Sequence, residues 1–164
     1  MIEFKCHTCE EIHVGMPALA WDYPLYYLSV PENEREDRCE LTSDTCVVDN
    51  EFYFVRGSLE VHVHNEDEQF SWGVWVSLSK KSFARYLELY EVDPRDQEEP
   101  FFGWLSVSIA IYPETENLKT MVHLRNEGIR PFIELEPTEH PLAVEQREGI
   151  TRERVAEIYE AMLH

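Results

Sequence analysis

Leu59-Glu60-Val61-His62-Val63-His64 alternates apolar and polar residues without a break. Asn65-Glu66-Asp67-Glu68 interrupts the pattern, and Phe70, Trp72, Val74, Val76 and Leu78 then resume it, with Ser71, Gly73, Trp75, Ser77 and Ser79 opposite. Successive side chains of an extended chain point to opposite sides, so a period of two marks a strand with one face buried. Two such runs joined by a short polar turn predict an antiparallel hairpin.

Downstream, Ser79 is placed to cap a short helix, whose Phe83, Tyr86, Leu87 and Tyr90 recur at three-to-four spacing. Residues 93–100 form an acidic loop. Leu105, Val107, Ile109 and Ile111 alternate and predict a strand stopped at Pro113. Residues 119–125 and 129–136 predict a second hairpin around Asn126-Glu127-Gly128. A helical turn or two over 141–148 ends at Gly149. Thr151 then caps a final helix with Val155, Ile158, Tyr159 and Met162 on one face, and Ile150 and Val155 at staple positions. Upstream, residues 1–50 carry the cysteines and read as irregular. Pro17, Pro24 and Pro31 oppose any long helix there. The expected architecture is α+β: a mostly antiparallel sheet with two or three helices and an N-terminal cysteine-rich metal knuckle. We expect a single domain over 1–164, with the 1–50 part packed on a 51–164 core.

The chain has 164 residues, 43% of them hydrophobic and 29% charged, which suffices for a real core. Asp and Glu total 33 against 14 Lys and Arg, a formal net charge of −19. That balance argues against nucleic acid, whose binders draw most of their affinity from phosphate neutralisation, and against an anionic membrane surface. It favours a basic protein partner. No apolar run approaches the roughly 18 residues of a membrane span, and the first residues lack a basic-then-apolar leader. These features predict a cytoplasmic protein, where four cysteines stay reduced and are more apt to bind metal than to pair. The oligomeric state is not legible.

Cys6-His7-Thr8-Cys9 is a CxxC pair, a spacing that lets two thiolates from one tight turn reach the same tetrahedral ion. Two more ligands are needed, and His13, Cys39 and Cys46 are the candidates. Cys6, Cys9, His13 and Cys46 would make a site of three cysteines and one histidine, and Cys39 in place of His13 an all-cysteine site. Four protein ligands close the coordination sphere, so such a zinc stabilises the fold by on the order of 10 kcal/mol and does no chemistry. Catalysis would need an open position, or a second site near His62, His64 or His123. His62 and His64 share one face of their strand, as a metal pair or as solvent-facing residues. No Gly-x-Ser-x-Gly elbow and no glycine-rich phosphate loop occur. Trp75 falls opposite Phe70, Trp72 and Val74, so it is either an exposed interface residue or a sign that both sheet faces are covered.

Several stretches together resemble a known family. They are Phe4-Lys5-Cys6-His7-Thr8-Cys9 with His13 and Pro17, Ser43-Asp44-Thr45-Cys46, Phe54-Val55-Arg56-Gly57-Ser58-Leu59, and Phe70 through Ser79. Phe102-Gly103-Trp104-Leu105, Glu134 through Ala143 and Gln146 through Thr151 complete the set. Together they resemble the bacterial family called domain of unknown function 2199, over nearly the whole chain. The resemblance implies a soluble, single-domain bacterial protein. Its opening knuckle, followed by a histidine and a later Asp-x-Cys, implies Cys6, Cys9, His13 and Cys46 as ligands. Glu10 stands where that knuckle carries glycine, and Cys39 lies outside the pattern.

Two functions fit. The first is an acidic protein-binding module with one structural zinc, of which an immunity-type toxin neutraliser is a concrete form. The second is a metal-dependent hydrolase using an open zinc site. Arg56, Trp104 and His140, which lie in the family-like stretches, are further candidates; their bland alternatives are a paired charge, a core aromatic and a helix cap.

Overall fold

The computed structural model describes residues 3–5, 12–14 and 19–163. In chain order the elements are β1 (Glu3–Lys5), β2 (Ile12–Val14), β3 (Leu19–Ala20), α1 (Leu25–Ser29), a 3-10 turn (Glu32–Glu34), α2 (Arg35–Arg38), β4 (Cys39–Leu41) and β5 (Thr45–Val48). There follow β6 (Phe52–His62), β7 (Gln69–Leu78), α3 (Lys80–Glu88), β8 (Phe101–Leu105), β9 (Lys119–His123), β10 (Phe132–Leu135), α4 (Pro141–Glu148) and α5 (Arg152–Leu163).

The hairpin expected at 59–78 is β6–β7, and it is longer than the alternation alone indicates, paired from Tyr53↔Leu78 to His62↔Gln69. β8, β9 and β10 continue as an antiparallel meander, and β10 returns beside β6. Five strands therefore close into a barrel, β6-β7-β8-β9-β10-β6, so the fold is α+β with a barrel rather than an open sheet. In a meander of five strands the first and last run the same way, so the closing pair is parallel. It is also brief: Phe132 stands opposite Ser58, whose amide donates to the carbonyl of Pro131 at 2.8 Å. At this seam Gly57 is required, because a Cβ there would sit 2.5 Å from Ile133 Cδ1 and 3.0 Å from the Pro131 carbonyl.

Beyond Ser58 the two strands part, and the side chain of Gln146 on α4 fills the gap. Its Oε1 accepts from the Leu135 amide at 2.8 Å, and its Nε2 donates to the Ile133 carbonyl at 2.9 Å and the Glu60 carbonyl at 3.5 Å. One side-chain amide thus does the work of a missing ladder residue, since buried peptide groups cannot go unpaired without cost.

Inward residues of the barrel, among them Val55, Leu59, Val61, Val74, Val76, Leu105, Val122 and Ile133, are buried. Helix α3 packs at one end, with Phe83 5.1 Å from Tyr53, and α5 at the other, with Tyr159 5.6 Å from Phe70. The segment from β3 to α2 lies over the outer face of β6 and β7. Tyr26 meets Phe52 and Phe54, and the indole of Trp75 donates to the Trp21 carbonyl at 2.8 Å. Trp75 points outward yet is fully buried, so both faces of the sheet are covered there.

Several expectations hold and several need correction. Ser79 caps α3 by accepting from the Ser82 amide, and Thr151 does the same for the Arg154 amide. The buried stripe of α3 is Phe83 and Tyr86, followed by Leu89 just past its end, while Leu87 is exposed. The strand expected over 105–111 is absent; the strand is Phe101–Leu105. The later alternation reflects burial in a loop, where Thr115 takes the backbone groups a ladder would use. Its hydroxyl donates to the Val107 carbonyl at 2.7 Å and accepts from the Ile109 amide at 3.0 Å. The described residues hold five α-helices rather than two or three, because α1 and α2 add short ones. Nor is the whole of 1–50 irregular: β4 and β5 form a hairpin that extends the main sheet through β5–β6. Cys6 and Cys9, and with them the metal knuckle, lie outside the described residues.

If Gln146 closes the seam, Gln146→Leu strands three peptide groups at nearly constant volume. The expected loss is about 1–3 kcal/mol, read by urea denaturation, with faster hydrogen exchange at the Leu135 amide.

Candidate functional site

Strand alternation and barrel closure together decide which side chains face water on β8, β9 and β10. Phe101, Gly103 and Leu105 point in, so Phe102 and Trp104 point out; likewise Met121 and His123 on β9, and Phe132 and Glu134 on β10. Phe102 is 45% exposed and Trp104 41% exposed, with ring centroids 5.1 Å apart and planes perpendicular. Met121 pairs with Phe102 on one side and Glu134 on the other, which makes the face continuous. Trp104 is therefore a surface aromatic and not a core one.

Where β6 and β10 part, this face runs into a cleft of about 450 Å³ whose walls include Glu60, His62, Phe132, Glu134 and Arg147. Its charged groups are mostly engaged. Arg125 binds Glu60 at 2.9 Å, His123 Nε2 lies 3.0 Å from Glu134, and Arg147 donates to the Thr138 carbonyl at 2.7 Å.

Of the expected metal ligands, Cys6 and Cys9 lie outside the described residues, and so does the side chain of His13, whose backbone pairs with Phe4 in β2. Cys39 stands on β4 opposite Val48, and Cys46 on β5 opposite Leu41, so the two thiols share one face of that ladder. Burial, and then the neighbouring Cys39, push the Cys46 thiol up to about 12. Burial raises Cys39 as well. Among the described residues no group of three or more His, Cys, Asp or Glu is arranged to hold a metal. The rings of His62 and His64 are 6.2 Å apart, and His64 Nε2 lies 3.0 Å from the Glu148 carbonyl. His140 is a helix cap: its Nδ1 accepts from the Leu142 amide at 3.1 Å.

Sequence reading missed a second cluster, at the turn between β4 and β5. Arg56 and Arg130 converge on the carbonyl of Ser43, at 3.3 and 3.4 Å. Arg130 also binds Asp44 at 2.9 Å, and the hydroxyl of Tyr90 donates to the other oxygen of Asp44. Arg56 lies over the Trp75 ring at 5.6 Å and reaches Asp22 only at 3.8 Å. Its Nε is buried and has no partner among the described residues. Arg56 is among the sequence candidates, but the side-chain partners of Asp44, Tyr90 and Arg130, lie 46 and 86 residues downstream, a separation that leaves no linear motif.

The family model described as "Uncharacterized protein conserved in bacteria (DUF2199)" matches residues 5–150, and the chain belongs to this family. The match takes in the CxxC pair, the whole barrel and α4. No curated protein and no solved structure matches the chain. Among the described residues no helix is long and apolar enough to cross a membrane.

Burial alone would raise the Asp44 carboxyl, but hydrogen bonds from Tyr90 and Arg130 and the charges of Arg130 and Arg56 outweigh it and hold the group below its ordinary value. Its contribution to stability is therefore present above the ordinary carboxylate range, roughly pH 4, and is lost as pH falls through and below that range. Thermal melts should show Asp44→Asn below wild type in Tm at pH 7, the gap closing as pH falls below about 4.

Proposed function

We propose that this member of the family is a protein-binding module that offers the outer face of β8, β9 and β10 to a basic protein and carries one structural zinc ion. The carrying observation is the pair Phe102 and Trp104, both close to half exposed and locked edge to face on regular strands. Large aromatics held on a rigid scaffold lose little conformational entropy on docking, and such residues dominate binding energy at interfaces. The net charge of −19 sets the partner's sign, since a strongly acidic surface steers basic proteins toward it and repels acidic ones. An immunity-type neutraliser of a basic toxin is one arrangement that meets this description.

For the zinc we propose Cys6, Cys9, Cys46 and His13, with Cys39 as the alternative to His13. Thiolate ligands suit zinc, and a closed set of four is a structural one. The shared face of Cys39 and Cys46 supports a role for that ladder. Zinc displaces thiol protons, and the raised Cys46 thiol makes that displacement strongly pH-dependent.

Two outcomes are expected. Affinity capture at low salt should yield a basic partner that rebinds as purified protein, weakens with salt, and loses roughly 10- to 100-fold affinity for Phe102→Ser/Trp104→Ser. Equal binding by the double variant, with its Tm unchanged, rejects this face. Native mass spectrometry should find one zinc per chain in wild type and Cys39→Ala but none in His13→Ala, with zinc uptake by the metal-free protein releasing protons and weakening as pH falls. A wild type without zinc, purified without chelator, rejects the metal assignment.

A further inference from the structure

Beside the Arg130–Asp44–Tyr90 cluster lies a cavity of about 110 Å³, walled by Asp44, Tyr86, Tyr90, Arg95, Arg130 and Pro131. That is room for a small polyatomic ion and for nothing much larger. Its charge balance is unusual for this chain. Arg95 is 8% exposed, and its guanidinium donates only to backbone carbonyls: Arg125 at 2.7 Å, Tyr90 at 2.6 Å, Leu89 at 3.2 Å and Ile129 at 3.3 Å. Those bonds satisfy its donors but leave its charge unneutralised, and a buried charge without a counter-charge is costly. Asp44 is the carboxylate in the wall, and both its oxygens are already taken, by Arg130 and Tyr90. Arg56, outside the cavity lining, adds a further cation beside Arg130.

Tyr86 supplies a separate observation. The residue is 3% exposed and lines the cavity, and its hydroxyl, which is not sealed from solvent, makes no hydrogen bond to a described residue. Here it is a donor waiting at the wall of a space bordered by guanidinium groups. Arg130, whose side chain is 45% exposed, forms the wall toward solvent.

We propose that this cavity binds a small oxyanion, a phosphate or carboxylate group, which accepts hydrogen bonds from the Tyr86 hydroxyl and the Arg130 guanidinium and offsets the charge of Arg95. The size admits either group, and the donors of Tyr86 and Arg130 suit both. This site is separate from the aromatic face and does not depend on it.

The test uses the whole protein with inorganic phosphate and with acetate as probes, titrated at constant ionic strength with chloride as the balance ion. Melting temperature and calorimetry are the readouts. Arg95 is left intact, because its bonds hold two loops together. Tyr86→Phe removes one unpartnered hydroxyl and Arg130→Gln one cation, and each fold is checked by its melt without probe. Wild type should give a saturable rise in Tm with at least one probe, at least five-fold weaker in Tyr86→Phe and absent in Arg130→Gln. Phosphate alone giving the rise assigns a phosphate group, and acetate alone a carboxylate. A rise no greater than that of chloride with both probes overturns the proposal, as does a saturable rise that both variants keep.

Discussion

Everything in this molecule depends on how β6 serves two neighbours at once. It pairs with β7 along ten residue positions and must still meet β10 to close the barrel. A five-stranded meander makes that last pair parallel, whose slanted hydrogen bonds cannot simply continue the ladder of the others. The chain resolves the conflict locally. Gly57 lets the strands come within reach at Ser58, and Gln146 supplies amide groups where they separate. The place of α4 and the cleft beside it follow from that solution, because the side chain that bridges the gap must stand over it.

Closure also gives each strand an inside and an outside, and the outside is divided. Over β6 and β7 it is covered by the segment carrying Trp21 and Tyr26, which buries Trp75. Over β8 and β9 no described segment covers it, and Phe102 and Trp104 are exposed. Two outward tryptophans on neighbouring strands thus have opposite fates, and the difference lies in what packs on them.

That contrast marks the limit of sequence reading. Period-two alternation identifies β6, β7 and their shared faces, and short-range capping rules locate Ser79, His140 and Thr151, because both depend on residues a few positions apart. Neither rule says which face a distant segment will cover. The alternation over 105–111 misleads for the same reason: Val107 and Ile109 are buried in turn, yet their backbone groups are claimed by Thr115 rather than by a strand. The seam escapes notice because Gln146 looks like any polar residue on a helix. The oxyanion cavity draws on Asp44, the 86–95 stretch and the 130–131 turn, which only closure of the barrel brings together.

The charge of the molecule is organised by the same folding. Ten of the fourteen basic residues are arginines, and most are spent within the protein. Arg38, Arg85, Arg125, Arg130, Arg152 and Arg154 each hold a carboxylate within 3.1 Å. Such pairs, many of them exposed, add little stability one by one. Their larger effect is on the field outside: cations bound to carboxylates cancel locally, and the remaining acidic residues set the sign seen by an approaching molecule. Arg95 differs in being buried away from solvent with its guanidinium donating to carbonyls alone. An acidic exterior and an unneutralised interior cation are therefore two outcomes of one arrangement. The proposed basic partner draws on the first, and the proposed anion site draws on the second.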